Sequence, residues 1–273
     1  MDLFSCLSPF VFCSFASGSS GNCYFVGVDN EGLLIDAGIS ATHIKKGLQQ
    51  IGVPVSGIKA ILLTHDHVDH VRGLEVFAKS NGISIYAHEE CVDALLHGPY
   101  PIHLPSSCFH VLEMLEPTEL SGIAIEPFPV SHDGHGTVGY HLSYQGASLT
   151  IATDVGELDP VVEHFLESGQ SIVIESNYDD EMLWKGNYPY PLKKRIASSK
   201  GHLSNLEASR FVMKHYENGY KNVMFCHLSE NNNTPEVAMQ CFYRQLRLNR
   251  LKPSPDVAVF PLPRHKCTGL IHL

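Results

Sequence analysis

Short apolar runs alternate with amphipathic stretches along most of the chain. The run FVFCSFASGSSGNCYFVGV (10–28) predicts two strands joined by the polar turn SGSSGN. EGLLIDAGIS adds a short strand that ends in a loop, and IKAILLTH (58–65) predicts a buried strand. Strands that alternate with helices in this way favour an α/β fold.

Helix signals separate these strands. Ser40 precedes a helix with one apolar face that stops at Gly52. Ser204 and Glu207 form a capping-box sequence, which predicts a helix to about residue 216. Pro235 at a first helical position predicts another helix to about residue 249. The other predicted helices carry Leu74 and Phe77, HEECVDALL, and residues 158–168, and the other predicted strands are 83–88, 121–131, 137–144, 148–153, 171–176, 222–229 and DVAVFPL.

Composition is that of an ordinary globular protein. The chain has 273 residues, of which 44% are hydrophobic and 18% charged. Since the Pro-rich stretch 97–118 predicts a surface excursion and no linker divides the sequence, we expect a single domain over residues 1–273. The net charge of −10 excludes a protein that binds nucleic acid through overall positive charge, but it allows a local basic patch.

The N-terminal sequence MDLFSCLSPFVFC is apolar but has no positively charged segment, and Pro9 interrupts it. It therefore does not predict a secretory signal, and no run is long enough to span a membrane. Eight cysteines lie scattered without a C-x-x-C pair, which is typical of free thiols in a reducing compartment. We expect a cytoplasmic protein without a membrane partner and without a disulfide framework.

Residue types that bind metals follow several of the predicted strands. They share a position close after an apolar run: His65, His67, Asp69, His70, His132, Asp154 and His227. Imidazole and carboxylate both suit Zn²⁺ and related metals. A lone buried histidine more often makes a structural hydrogen bond, but a cluster repeated after several strands favours a metal site.

The spacing within LLTHDHVDH (62–70) allows a second ion beside the first. His65 and His67 are two residues apart, so an extended segment points both side chains the same way. Asp69 and His70 follow as the chain turns into a helix, where they can face a second ion. A carboxylate bridges two close ions well, and Asp154 is the candidate for this role.

The motif THDHVDH, with the later SHD, ATD and CHLS, resembles the metallo-β-lactamase superfamily. Eight further blocks resemble one branch of it, the YycJ/WalJ-like hydrolases: SGSSGN, LLIDAGIS, PFPVSHDGHGTVGY, IATDVGEL, ESNYDDEML, YPYPLKKRI, GHLSN and HLSENNNTPE. The resemblance implies an αββα four-layer sandwich with two divalent metal ions at one edge between the sheets. Such ligands suit Zn²⁺, Mn²⁺ and Fe, of which we favour Zn or Mn. By position, it implies one ion on His65, His67 and His132, a second on Asp69, His70 and His227, and Asp154 as the bridge.

Two residues outside that set indicate the chemistry. Glu175 and His202 resemble a Glu–His pair of the tRNA 3′-processing endonucleases in this superfamily. A histidine oriented by a carboxylate can protonate a leaving oxygen, and Asp69 can orient the attacking water. Two ions that share a water generate a nucleophile near neutral pH. The sequence therefore predicts hydrolysis by a metal-bridged hydroxide, with Asp69, Glu175 and His202 in catalysis.

A basic cluster leads into His202: Lys193, Lys194, Arg195 and Lys200. Contact with a phosphate backbone would fit this cluster, and a solvated helix face is the alternative. The resemblance implies a phosphodiesterase or nuclease with 5′-to-3′ DNA exonuclease activity. Two other functions stay open at this point: a small-molecule ester or thioester hydrolase, and a regulatory protein that keeps the metals for structure only.

Overall fold

Two seven-stranded sheets form the framework of residues 9–99 and 101–273, the ranges that a computed structural model describes. Residues 1–8, part of the segment predicted not to be a secretory signal, lie outside the described residues. The first sheet has the spatial order β14 (Ile271–His272), β1 (Phe10–Ala16), β2 (Cys23–Val28), β3 (Glu31–Ile35), β4 (Ile58–Leu62), β5 (Ser84–Ala87) and β6 (Phe109–Val111). The second has the order β13 (Ala258–Pro261), β12 (Asn222–Cys226), β11 (Ser171–Glu175), β10 (Ala147–Ala152), β9 (Val138–Tyr144), β8 (Ile123–Pro129) and β7 (Thr118–Leu120).

Helices cover the outer faces of both sheets. The α-helices of the described ranges are α1 (Ala41–Gln50), α2 (Val68–Val71), α3 (Leu74–Asn81), α4 (Glu89–His97), α5 (Pro160–Ser168), α6 (Asp180–Lys185), α7 (Tyr190–Ile196), α8 (Asn205–His215) and α9 (Pro235–Leu248), and six of them cover the sheets. Apolar side chains of α1, α3 and α4 pack on the first sheet, and those of α5, α8 and α9 pack on the second. A third apolar layer fills the space between the sheets. The predicted αββα sandwich is confirmed.

Strand residues alternate between the inner and outer layers. In β12, Val223 and Phe225 pack under helices, whereas Met224 and Cys226 face the first sheet. Each side chain is fully buried, and burying a large apolar side chain stabilises the fold by about 1.5–3 kcal/mol. Because both faces are covered, these strands have continuous apolar sequences instead of alternating ones.

The predicted helix starts are found where the capping residues placed them. The Ser40 side chain accepts a hydrogen bond from the backbone of His43 at the start of α1. Ser204 and Glu207 cap α8 reciprocally. Two predicted strands, 58–65 and 222–229, end early because the chain leaves the sheet at Leu62 and Cys226.

Three short strands were not predicted. The stretch 97–118, predicted as irregular, contains β6 and leads into β7. β14 follows DVAVFPL in the chain and pairs with β1 of the first sheet. Strands of two or three residues are too short to show a period.

The seven cysteines in the described ranges are free. Within the same ranges, no helix combines the length and the apolar character needed to cross a membrane.

Candidate metal centre

Strand ends bring the predicted ligands to one edge of the two sheets. In the second sheet, β10, β11 and β12 run parallel, so their carboxyl ends meet at the same edge. Asp154 follows β10, Glu175 ends β11 and His227 follows β12. In the first sheet, His65 lies just after β4. Sites gather where strand ends lead into loops.

Three histidines form the first group. One nitrogen of each of His65, His67 and His132 lies within 4.8 Å of the others. The ring centroids of His65 and His67 are 4.5 Å apart, and each is 5.1 Å from that of His132. His65 is buried, while the His67 side chain is 32% exposed. Three converging imidazoles are a common ligand set for zinc.

The second group contains Asp69, His70 and His227. Oδ2 of Asp69 lies 3.6 Å from Nε2 of His70 and 3.5 Å from Nε2 of His227. Asp154 lies between the groups, with Oδ2 3.2 Å from Nε2 of His70 and Oδ1 3.7 Å from Nε2 of His132. One carboxylate therefore reaches nitrogens of both groups.

Buried nitrogen atoms without hydrogen-bond partners lie in this cluster. They are Nε2 of His65, His132 and His227. A buried polar atom without a hydrogen-bond partner costs about 1–3 kcal/mol. Three such nitrogen atoms in one cluster therefore indicate that a ligand binds there. Imidazole lone pairs beside carboxylates fit a divalent cation, and the residues present therefore fit the metals that the sequence predicts.

The opposite ring nitrogens are held by neighbours. Nδ1 of His70 lies 2.7 Å from Oδ2 of Asp36, and Nδ1 of His132 lies 2.9 Å from the carbonyl oxygen of Gly201. Nδ1 of His227 lies 2.8 Å from Oε1 of Glu175. A partner on Nδ1 fixes the ring and leaves Nε2 for a metal.

Asp36 belongs to the candidate site but was not predicted from the sequence. It is fully buried, and besides His70 it accepts hydrogen bonds from the backbone and hydroxyl of Thr64. Its signal in the sequence is a carboxylate directly after the apolar run of LLIDAGIS. Asp36, Asp154 and His227 all have positive φ, at 59°, 55° and 52°. Such backbone strain, about 1–3 kcal/mol each, concentrates at functional sites.

The charges of the cluster suit metal binding. Burial opposes ionisation of Asp154, but the rings of His227 and His70 outweigh it and hold the pKa of this carboxyl well below its usual range. Burial also holds the pKa of His65 well below that of a free imidazole, so this ring is neutral. Burial favours a neutral His227 as well, yet Asp154 foremost, with Asp69 and Glu175, raises its pKa to about 10. A metal that binds His227 therefore displaces a proton.

Glu175 joins the cluster to His202. Its Oε1 lies 2.9 Å from Nδ1 of His202 and 2.8 Å from Nδ1 of His227. Its Oε2 accepts hydrogen bonds from the backbone N–H groups of Val155 and Leu203. Burial opposes ionisation, but His202 first and then His227 lower the pKa of Glu175. A fully bonded carboxylate thus orients the His202 ring, whose side chain is 19% exposed.

Lys193 does not serve as predicted. It is buried, and its Nζ donates hydrogen bonds to the carbonyl oxygens of Trp184, at 2.9 Å, and Gly186, at 2.7 Å. The ammonium therefore satisfies the carbonyl end of α6. The prediction that Lys193 contacts a phosphate backbone is wrong, because its donors point into the protein.

The other three predicted basic residues are exposed. Arg195 donates from Nε to Asp133, the neighbour of His132. Nζ of Lys194 lies 5.2 Å from the ring centroid of Tyr190. In the described part of the chain, neither Lys194 nor Lys200 forms an ion pair, so both can meet a phosphate.

A basic cavity of about 750 Å³ lies beside the turn 17–22. Among the described residues that line it are Lys46, Arg72 and Lys266 but no carboxylate. Nη1 of Arg72 donates to the carbonyl oxygen of Ser20, and the amide nitrogen of Asn22 lies 3.0 Å from Nε2 of His70. The turn is therefore shared by the cavity and the candidate metal centre. These cations do not form a cluster in the sequence because they are far apart along the chain.

The comparisons with known proteins agree with this geometry. The family model of the metallo-beta-lactamase superfamily matches residues 16–185. The chain is 33% identical to exodeoxyribonuclease WalJ of Streptococcus pneumoniae over 94% of this chain and 96% of that protein. It is 32% identical to exodeoxyribonuclease YycJ of Bacillus anthracis over 82% of this chain and 84% of that protein. The fold is similar to that of unliganded yeast PDE1, with a TM-score of 0.72, 12% identity and coverage of 97% of this chain and 100% of that one. The chain belongs to the metallo-β-lactamase superfamily, in the branch of WalJ and YycJ.

Proposed function

We propose that the protein is a dinuclear metal-dependent exodeoxyribonuclease that degrades DNA from the 5′ end. The observation that carries the proposal is the contact of Nδ1 of His202 with Oε1 of Glu175 at 2.9 Å, beside the metal-type cluster. The leaving alkoxide of a phosphodiester needs a proton. A protein that kept metals only for structure would not need such a donor. The two relatives that are exodeoxyribonucleases support DNA as the substrate.

Seven side chains would hold the two ions. One ion would be held by His65, His67 and His132, the other by Asp69, His70 and His227, with Asp154 common to both. Imidazole and carboxylate together suit Zn²⁺, and the carboxylates also suit Mn²⁺. When bound, the ions supply Lewis acidity at a phosphoryl oxygen and acidify water.

The protein's own groups position and move the protons. Nδ1 of His202 faces the carboxylate of Glu175, so Nε2 is the nitrogen left to carry a proton to the leaving oxygen. The second oxygen of Glu175 is fixed by two backbone N–H groups, so the ring is oriented before a substrate arrives. Asp69, whose side chain is 16% exposed, is placed to accept a proton from the attacking water.

The basic cavity supports a polyanionic substrate. Lys46, Arg72 and Lys266 concentrate positive charge in a chain of net charge −10, and Arg72 is two residues from His70. Within the described ranges, Lys194 and Lys200 add two exposed cations that form no ion pair, and Lys200 is two residues from His202. Phosphate groups are attracted to such surfaces, whereas an uncharged thioester would gain nothing from them.

An end-label assay tests the proposal. The metal-loaded protein, with Mn²⁺ or Zn²⁺, is incubated with 5′-labelled and 3′-labelled DNA in single-stranded and duplex form. We expect early release of labelled mononucleotides from the 5′ label, and a ladder of shortening products from the 3′ label. An Asp69→Ala variant should release none. Exposed Asp256→Ala is the matched control and should retain wild-type activity.

Three outcomes would contradict the proposal in whole or in part. Failure to release nucleotides from any DNA with either metal, together with turnover of a thioester, would identify the protein as a small-molecule hydrolase. If the metal-loaded protein turns over neither DNA nor the thioester, the result would indicate a regulatory role. If mononucleotides are released early from the 3′ label instead, the protein is a nuclease that degrades DNA from the 3′ end.

A further inference from the structure

We propose that Cys13 and Cys267 form a redox-active pair, which a hydroperoxide converts into a reversible disulfide that ties the C-terminal segment to β1. The two sulfur atoms lie 3.2 Å apart, although 254 positions separate the residues in the chain. Both thiols are free. The proposal does not depend on the nuclease function, because neither cysteine belongs to the candidate metal centre.

The backbone on both sides of the pair is held in place. Cys13 lies in β1, and β14 pairs with this strand shortly after Cys267. The backbone N–H of Thr268 donates to the carbonyl oxygen of Ser14 at 3.0 Å, and the Thr268 hydroxyl accepts from the Ser14 N–H at 3.1 Å. These bonds join the residues that follow the two cysteines. The sulfur atoms therefore meet without movement of either segment, as a disulfide requires.

The two thiols differ in their access to solvent. Cys13 is fully buried, whereas Cys267 is partly exposed. Cys267 lines the basic cavity together with Lys46, Arg72 and Lys266. A hydroperoxide that enters this cavity meets Cys267 first. Cys267 is therefore the attacking thiol, and Cys13 is the thiol that resolves the product.

The hydrogen bonds of Cys267 favour its thiolate, the form that reacts with peroxides. Its sulfur accepts from the backbone N–H of Gly269 at 3.5 Å and lies within hydrogen-bond distance of the Cys13 thiol. The Cys13 bond foremost, with that of Gly269, outweighs burial and lowers the pKa of Cys267. The same contact, together with burial, raises the pKa of Cys13. Cys13 thus keeps its proton while Cys267 reacts.

The oxidation takes two steps. The Cys267 thiolate attacks one oxygen of the hydroperoxide, the O–O bond breaks, and a sulfenic acid forms while the other oxygen leaves and takes up a proton. The Cys13 sulfur then attacks the sulfenic sulfur, so that an S–S bond forms and water leaves with the Cys13 proton. The pair loses two electrons, which the hydroperoxide accepts. A dithiol reverses the reaction by thiol–disulfide exchange.

The disulfide would fix a segment that reaches both the basic cavity and the loop after His227. Nη2 of Arg264 donates to the carbonyl oxygen of Ser229 at 2.8 Å, and Lys266 lines the cavity. This segment runs from β13 of the second sheet to β14 of the first, so a bond from Cys267 to β1 secures the crossing between the sheets. A cross-link between residues far apart in the chain restricts the unfolded state. The oxidised protein should therefore resist urea better than the reduced one.

Thiol counting after oxidation tests the pair. The Zn²⁺-loaded protein, whose metal has no redox chemistry of its own, is treated with hydrogen peroxide, unfolded and alkylated with iodoacetamide. Of the eight cysteines, we expect two to lose their reactivity, and peptide mapping should show a disulfide between Cys13 and Cys267. Dithiothreitol should restore both thiols. The matched control is Cys108→Ser, which should leave the disulfide intact: Cys108 is also partly exposed but, in the described ranges, has no second sulfur within hydrogen-bond distance.

Two variants and the urea midpoint test the order of the steps and the cross-link. In Cys13→Ala the sulfenic acid at Cys267 has no resolving thiol, so dimedone should label it after peroxide treatment. In Cys267→Ser, the buried Cys13 should stay unmodified. Oxidation should raise the urea midpoint of the wild type but not that of Cys13→Ala. Full alkylation of both cysteines after peroxide treatment, a disulfide between other cysteines, or a wild-type midpoint that oxidation does not raise would overturn the proposal.

Discussion

Glu175 links the candidate metal centre to the proposed proton donor through one carboxylate. Oε1 contacts Nδ1 of both His202 and His227, while Oε2 accepts two backbone N–H groups. Such full bonding offsets the cost of burying a charge. Because both rings are bonded to the same oxygen, a movement of the His227 ring also changes the contact that orients His202.

Replacing His202 with alanine tests its role in proton transfer. We expect kcat on DNA to fall by about 10²- to 10⁴-fold, the usual contribution of a general acid. The bound metal per protein should not change, because each proposed ion keeps its three ligands and the bridge. Initial rates at saturating DNA and elemental analysis of the same samples measure both quantities. His97→Ala, at a ring that is 71% exposed on α4, should have no effect. A His202→Ala protein that cleaves at the wild-type rate would refute this role.

The seven proposed ligands could be predicted because each follows an apolar run. Asp36 also follows an apolar run, but its contact with His70, 34 residues away, is not visible in the sequence. The same holds for Asn22, whose amide nitrogen lies 3.0 Å from Nε2 of His70 across 48 residues. Periodicity describes neighbours along the chain, whereas the groups that orient a ligand come from other strands.

At the scale of elements, α7 shows where a charge pattern misleads. Its run Lys193–Lys194–Arg195 has three adjacent cations, but successive residues on a helix point about 100° apart. The three side chains therefore meet three environments: the end of α6, the ring of Tyr190 and the carboxylate of Asp133. Composition alone gives all three the same role. The capping box of α8 and the cap of α1 were predictable because those contacts are local.

Lys193→Met tests the structural role of the buried ammonium. Methionine keeps the apolar stem but leaves the carbonyl oxygens of Trp184 and Gly186 without a donor. We expect the free energy of unfolding to fall by about 1.5–3 kcal/mol, as for hydrogen bonds to a charged group. Lys194→Met, at the exposed neighbour, should change it by less than about 0.5 kcal/mol. Urea denaturation monitored by circular dichroism measures both, and equal stabilities of the two variants would contradict the assignment.

At the scale of the whole molecule, the candidate metal centre joins the two halves of the sandwich. His65, His67, Asp69 and His70 follow β4 of the first sheet, while His132, Asp154 and His227 follow strands of the second. The proposed bridge, Asp154, reaches His70 of the other half at 3.2 Å. Bound ions would therefore link the sheets at this edge, in addition to the apolar layer between them.

Removing the metals should destabilise the fold. A ligand that binds only the folded state at 100 times its Kd stabilises it by about 2.7 kcal/mol. We expect the urea midpoint of the metal-loaded protein to fall after treatment with a chelator, and to recover when Zn²⁺ or Mn²⁺ is added back. Ca²⁺, which prefers oxygen ligands, is the control and should restore little. An unchanged midpoint after verified metal loss would show that the ions do not link the sheets.

Because the chain has a net charge of −10, the contribution of the basic cavity to DNA binding can be measured from the salt dependence of the affinity. The whole molecule repels DNA, so binding must depend on local cations, and each phosphate contact on a single strand contributes about −0.7 to the slope of log affinity against log salt. Lys46 lines the cavity, while Lys45, its neighbour on α1, does not. We expect Lys46→Ala to make the slope shallower by about 0.7 and Lys45→Ala to leave it unchanged. Titrations of a phosphorothioate oligothymidylate between 50 and 200 mM salt, roughly the range in which such slopes are measured, provide the comparison. Equal slopes for both variants would place the DNA path away from this cavity.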